Sequence, residues 1–252
     1  MFVSNPFSLL AEAFSPMFMQ AYVVLMVAAV VAGVLFDMRH KRSAEFFARR
    51  RESARAAAQR ELGAAAIATI AVETLVVDVM AAGEFDKWQR RLSHLLTAYG
   101  FVIYLVTTVV MVFGYASDPE TPWAWTALWH LGALMVLAGG SWFFFALRAD
   151  VAQEARAPLR LRQADIFIVG LLASSAFALV WHAAQMLDNG AGVTMLLFGL
   201  YLFSTTLLFV TVPWSKFAHM FYKPAAAFQK RLEAASGASD LPRPAEISHI
   251  RR

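Results

Sequence analysis

Four of the six histidines in this 252-residue chain, His94, His130, His182 and His219, are the residues best equipped for chemistry. An imidazole can ligate a metal, carry a proton near neutral pH, or donate one hydrogen bond while accepting another. The chain has no cysteine, which excludes disulfides, thiolate-held iron–sulfur clusters and haem attached through thioether bonds. Any redox cofactor would have to be held by His, Met or Tyr. The other two histidines, His40 and His249, stand among charged residues and read as surface groups. Which of these uses applies to the four depends on the elements that position them.

Those elements are apolar spans. The chain is 59% hydrophobic and 16% charged, with a mean hydropathy of +0.54, too apolar for an ordinary soluble domain. The sequence predicts an all-α integral membrane protein with five transmembrane helices, at 17–36, 94–115, 123–147, 164–187 and 193–212, each long enough to cross the hydrocarbon core. Residues 1–37 form an N-terminal anchor helix, retained because no basic leader precedes it. Residues 38–93 form a basic segment, 94–230 a four-helix bundle and 231–252 a tail read as disordered or partner-dependent. The stretch 63–82 is apolar but carries Glu73 and Asp78. It reads as an amphipathic surface helix with Ile67, Ile70, Thr74 and Val77 on one buried face. Trp123, Trp125 and Trp129 are expected as an interfacial belt.

Charge sets the orientation. All 22 Lys and Arg residues fall in 39–60, 87–91, 148–162 and 216–252, while the intervening ends carry only acids such as Glu12, Asp118, Glu120 and Asp188. Basic loops stay on the cytoplasmic side, so the expectation is a multi-pass protein of the bacterial inner membrane, N-terminus periplasmic and C-terminus cytoplasmic. The pI of about 9.6 then follows from topology and implies no nucleic acid partner.

Depth now sorts the histidines. His94 opens one span and His219 lies just past the last, both at the inner edge; His130 and His182 each sit about two turns or less from an outer end. Two level pairs on different helices are what a b-type haem requires, one imidazole for each face of the iron, and polar residues at membrane depth are costly unless used. The alternative is that His130 and His182 bond to water or backbone, and that His94 and His219 contact headgroups.

The run 213–224, Pro-Trp-Ser-Lys-Phe-Ala-His-Met-Phe-Tyr-Lys-Pro, resembles the end of the last helix in the haem b membrane subunits of the nitrate reductase gamma, heterodisulfide reductase and quinone-interacting oxidoreductase type. The run from Gly83-Glu84-Phe85 through Arg90-Arg91-Leu92-Ser93-His94 to Tyr99-Gly100-Phe101 is similar to the start of their first haem-binding helix. The likeness spans most of 63–230 and is greatest toward the membrane anchors of dissimilatory adenylylsulfate reductase. It implies that His94 and His219 are the axial ligands of an inner haem. Nitrate reductase gamma-type subunits place further histidines where this chain has Tyr104 and Tyr201, so a second, outer haem would use His130 and His182 or be absent.

The resemblance implies an electron-transfer subunit, not catalytic by itself, that passes electrons between cytoplasmic flavin/iron–sulfur redox subunits and membrane quinone through one or two b haems. The partner is expected to dock on the basic inner face around 49–60. Glu73 and Asp78 are candidates for proton delivery to an inner quinone pocket, while Trp129, His130 and Glu120 are candidates for an outer one. The acids could equally be the water-facing side of a surface helix. A second reading is a cofactor-free anchor that tethers a soluble redox complex, favoured by the two tyrosines. A small transporter ranks last because none of the five spans carries a mid-bilayer charge or a helix break.

Overall fold

The computed structural model describes residues 4–82, 87–117, 120–147, 165–215 and 219–239, with only the backbone described at residues 12, 79 and 219–221. Among these residues there are eight α-helices and no strand: α1 Pro16–His40, α2 Ser43–Ala56, α3 Ala64–Glu73, α4 Trp88–Gly114, α5 Trp123–Trp142, α6 Ile166–Met186, α7 Ala191–Thr211 and α8 His219–Ser236. Five stretches, Pro16–His40, Trp88–Gly114, Trp123–Leu147, Ile166–Met186 and Ala191–Trp214, are long and apolar enough to cross a membrane. The chain is thus a multi-pass membrane protein, with its spans within a few residues of where hydropathy puts them except at the N-terminal end of α4, which starts six residues earlier.

The chain divides into two units, one of Met1–Leu35 with Phe85–Ala218, the other of Phe36–Glu84 with His219–Arg252. In the first, α4 packs on α5, α5 on α6 and α6 on α7. No hydrophobic force drives helices together in lipid, so close backbone approach and hydrogen bonds must do it. A Cβ on Gly132 of α5 would stand 2.6 Å from Tyr104 N and 2.8 Å from Gly100 O; only glycine fits. Further along this seam Ser93 Oγ donates to Gly139 O at 3.0 Å, which makes Gly139 a helix-packing residue. Trp129 is fully buried at this interface and donates from Nε1 to Thr108 Oγ1 at 2.9 Å. It therefore does not belong to an interfacial belt, whereas Trp123 is 67% exposed.

The contact of α1 with this bundle is sparser. Its Tyr22 hydroxyl donates to Leu202 O at 3.0 Å and pairs with Thr206 Oγ1 at 2.9 Å, Gln20 Nε2 donates to Val112 O at 3.3 Å, and Gly33 lets the helix pass close to Pro213. Val24, Leu25, Val31 and Leu35 are exposed, as a lipid-facing surface requires. The segment before α1, which the sequence grouped with the anchor helix, is a separate packed stretch. Asn5, Phe7 and Leu10 are buried. Asn5 Nδ2 donates to Tyr115 O at 3.0 Å and Gln185 Nε2 to Pro6 O at 3.2 Å, and the Phe7 ring meets Trp129 and Trp181 at centroid distances of 6.0 and 5.6 Å.

The second unit is held by ion pairs. Arg50 of α2 grips Glu233 of α8 through Nε and Nη2, at 2.8 and 2.9 Å, and this guanidinium holds the Glu233 carboxyl below its ordinary range. Arg231 of α8 binds both oxygens of Asp78, at 2.8 and 3.1 Å, and reaches Glu73 at 3.3 Å. Lys41 lies 2.8 Å from an Asp37 oxygen, and the Tyr222 hydroxyl donates to the same carboxylate at 2.8 Å. The sequence pattern foresaw neither α2 nor the extent of α8, which runs five or six residues into the expected tail; residues 240–252 lie outside the described residues. The face expected on α3 is split: Ile70 and Thr74 are buried, but Ile67 and Val77 are 37% and 43% exposed. The helix widens into a π-helical turn at Thr74–Met80, and the wider turn rotates Val77 off the face that a 3.6-residue period assigns it.

Candidate functional site

Two clusters of chemically capable side chains lie inside the membrane-spanning unit. The first joins His130 of α5 to His182 of α6. His130 Nδ1 is 2.7 Å from Thr126 O; a carbonyl can only accept, so Nδ1 carries the hydrogen and Nε2 of the neutral ring is left as an acceptor. His182 Nδ1 approaches that Nε2 at 2.9 Å and therefore donates to it. The rings lie 4.9 Å apart, centroid to centroid, and Trp129 sets an edge against each. His182 is fully buried and His130 partly so. The two histidines that the sequence grouped by depth are thus in direct contact.

That contact bears on the outer haem. An iron held between two imidazoles needs a nitrogen on each face at about 2 Å, hence about 4 Å between nitrogens with a macrocycle plane in the gap. A 2.9 Å hydrogen bond fills that space here. The pair as arranged does not fit an axial couple. Of the inner pair, His94 sits on the second turn of α4, half-buried, beside Ser93, which is tied to α5. His219 is the first residue of α8 and its side chain lies outside the described residues, so the pairing of His94 with His219 does too. Among the described residues no group of three or more His, Asp or Glu could hold a metal ion.

The second cluster is at mid-membrane. Tyr104 of α4 and Tyr201 of α7, which the sequence noted only as departures from histidine, are both buried, with their hydroxyls in one neighbourhood together with Ser174 of α6 and Thr205 of α7. Ser174 Oγ and Thr205 Oγ1 are hydrogen-bonded at 2.7 Å. The Tyr104 hydroxyl lies near Tyr201 and Ser174 but makes no hydrogen bond of normal geometry. Tyr201 stacks on Trp181, centroids 5.7 Å apart and planes within 8°. These residues line a cavity of about 110 Å³ between α1 and helices α4, α6 and α7. Tyr22 and Thr108 line it as well, and its remaining walls are apolar, from Val23, Met26, Phe101, Leu105, Val109 and Phe209 among others. A hydroxyl recurring at the middle of α4, α6 and α7 is the sequence signal that could have revealed it.

The other candidates are dispersed. Trp129 is the wall between the clusters: its ring meets Tyr104 at 5.5 Å as well as both histidines, and its N–H bonds to the cavity-lining Thr108. Glu120 is exposed beside the α4–α5 turn. Glu73 and Asp78 belong to the second unit, where Arg231 engages them; their visible work is to tie Thr74–Met80 to α8. The chain matches no known protein family, no curated protein and no solved structure.

Proposed function

We propose that this chain is the membrane electron-transfer subunit of a redox complex. It exchanges electrons between a cytoplasmic flavin/iron–sulfur oxidoreductase, of the adenylylsulfate reductase type used in sulfur oxidation, and quinone in the bacterial inner membrane. The single observation that carries the proposal is the hydrogen-bonded His130–His182 pair within a membrane-spanning bundle. Ionisable side chains at such depth are rare and mark proton or electron paths, and quinone chemistry moves protons with its electrons. His130 holds a proton on Nδ1 toward Thr126 and offers Nε2 to the proton on His182. Either imidazole can pass a proton by exchanging tautomers, without a charged residue in the hydrocarbon. Residues His94 and His219 are assigned to one b haem by the family likeness of the segments around them; when bound, it would supply one-electron chemistry at the cytoplasmic edge. The grouping of all basic residues on one side of the spans supports the N-out, C-in orientation and an acidic docking partner.

The alternative, a cofactor-free anchor for a soluble redox complex, is favoured by the direct contact of the two outer imidazoles. Haem extraction and a reduced-minus-oxidised spectrum of the purified protein separate them. One b haem per chain is expected, lost in His94→Ala and in His219→Ala and retained in His130→Leu and His182→Leu. A folded protein with no haem would establish the anchor instead, and two haems would overturn the assignment of His130 and His182 to proton transfer.

A further inference from the structure

The helical stretch Ala64–Met80 uses only one of its sides within the protein. Ile70 and Thr74 are buried, the stretch packs on α8, and Arg231 of α8 binds Asp78 and reaches Glu73. At about 3.6 residues per turn, Ala65, Ala68, Val72, Leu75 and Val76 fall on the opposite side. All five are exposed, Val72 by 60% and Leu75 by 54%. A single exposed valine is ordinary, but a continuous helix side without a polar residue marks a surface that something apolar covers.

What covers it follows from where this unit is tied. Phe36–His40, the last turn of the membrane-spanning α1, belongs to the same unit, and there the Tyr222 hydroxyl of α8 donates to Asp37 at 2.8 Å. α8 is thus held to the end of a membrane span. Packed helices lie about 8–10 Å apart, axis to axis, so Ala64–Met80 is one helix removed from the edge of the hydrocarbon. Its other end leads through residues 81–87 into α4, a second span. The stretch itself rises about 25 Å, short of the roughly 30 Å needed to cross, and it carries two acids.

We propose that Ala64–Met80 is a monotopic membrane helix. It lies in the plane of the leaflet at the basic ends of the spans, with Ala65, Ala68, Val72, Leu75 and Val76 among the acyl chains and Ile70 and Thr74 on α8. Arg231 gains a second use from this placement: an unpaired acid at a lipid boundary is costly, and the one guanidinium engages both Glu73 and Asp78. No other charge stands in the stretch, so its hold on the bilayer is apolar and separate from the electrostatic attraction of residues 39–60. The inference needs only the membrane spans and stands whether or not the chain carries haem.

The absence of cysteine lets single introduced thiols report position. Full-length Val72→Cys, Val76→Cys and, on the exposed surface of α2, Glu52→Cys are labelled with the fluorophore NBD and reconstituted in phosphatidylcholine vesicles. Doxyl-labelled lipid quenches labels that touch acyl chains, and iodide quenches those that touch water. The labels at 72 and 76 should emit further to the blue and be quenched by doxyl lipid at least about twofold more than the label at 52, with iodide giving the reverse order. Because the contact is apolar, raising salt from about 0.1 to about 1 M should leave that order unchanged. Both positions are exposed, so the variants should melt with the parent protein; where one does not, Ala68→Cys on the same side replaces it. Iodide access at 72 and 76 equal to that at 52 would overturn the proposal and leave this side to a soluble partner absent from the vesicles. A blue shift without doxyl quenching would overturn it in favour of a second copy of the chain.

Discussion

The two units of this protein bury polar groups by opposite means. Along α4 to α7 the buried partners are neutral: Ser174 with Thr205, Trp129 with Thr108, His130 with His182, and hydroxyls returned to helix carbonyls, as in Thr107 to Ile103 at 2.7 Å. In the other unit they are charged: Arg50 with Glu233 and Arg231 with Asp78. Solvent explains the contrast, since a charge in hydrocarbon is penalised far more than a neutral donor. The functional consequence is that hydrogens in the membrane unit lie between neutral groups able to exchange roles, whereas the carboxylates of the other unit are held by permanent cations. Proton traffic is therefore sought at imidazoles and phenols, and the acids that drew attention in the sequence act as ties.

The largest expected effect tests the tightness of the membrane unit. Gly132→Val places a branched side chain against the backbone of α4, and overpacking that cannot be relieved by a flexible neighbour should cost about 3 kcal/mol or more. Gly199→Val on α7, where an added Cβ meets nothing within 4 Å, should be near neutral; thermal unfolding in detergent compares them. Trp129→Phe removes the hydrogen bond to Thr108 and should lower stability by about 0.6–1.7 kcal/mol, the range of side-chain hydrogen bonds between membrane helices. In the charged unit, Arg231→Ala should cost about 1 kcal/mol or less, because the guanidinium is one-third exposed, and should raise hydrogen exchange over 64–80 without changing it in α5. The smallest effect is a pH dependence. The Glu233 carboxyl is held low when folded, so its pairing contributes fully above the unfolded carboxylate value of about 4.3 and is lost as pH falls through the lower folded value. Melting curves between neutral pH and pH 4 or below should show a loss of under about 1 kcal/mol, absent in Arg50→Ala. A larger acid loss in the membrane unit would break the comparison.

The sequence made the spans legible because hydrocarbon imposes length and hydropathy on any segment that crosses it. Histidine depth was legible too, since 1.5 Å per residue along a helix is nearly invariant, and it brought His130 and His182 to the same level. What it could not convey was separation: whether two imidazoles at one level stand apart for an iron or touch depends on the spacing of α5 and α6, where Gly140 lets Leu172 come close. The tyrosines were misjudged for a related reason. Tyr104 and Tyr201 were read by what they are not, and only packing shows their hydroxyls converging on a cavity. In the basic segment, charge hid structure, because α2 carries its arginines on a helix with no buried residue, leaving no apolar period to detect.

The packed segment ahead of α1 also orders the molecule in time. Asn5 and Pro6 are synthesised ahead of their partners Tyr115 and Gln185, which lie 110 and 179 residues further on. At cellular elongation rates of about 5–20 residues per second, the Pro6 partner emerges roughly ten to thirty-five seconds later. This segment, made before the helices it packs on, is thus among the last to settle. Because Phe7 closes against Trp129 and Trp181, this late step seals the end of the bundle nearest the histidine pair only after all its helices have arrived.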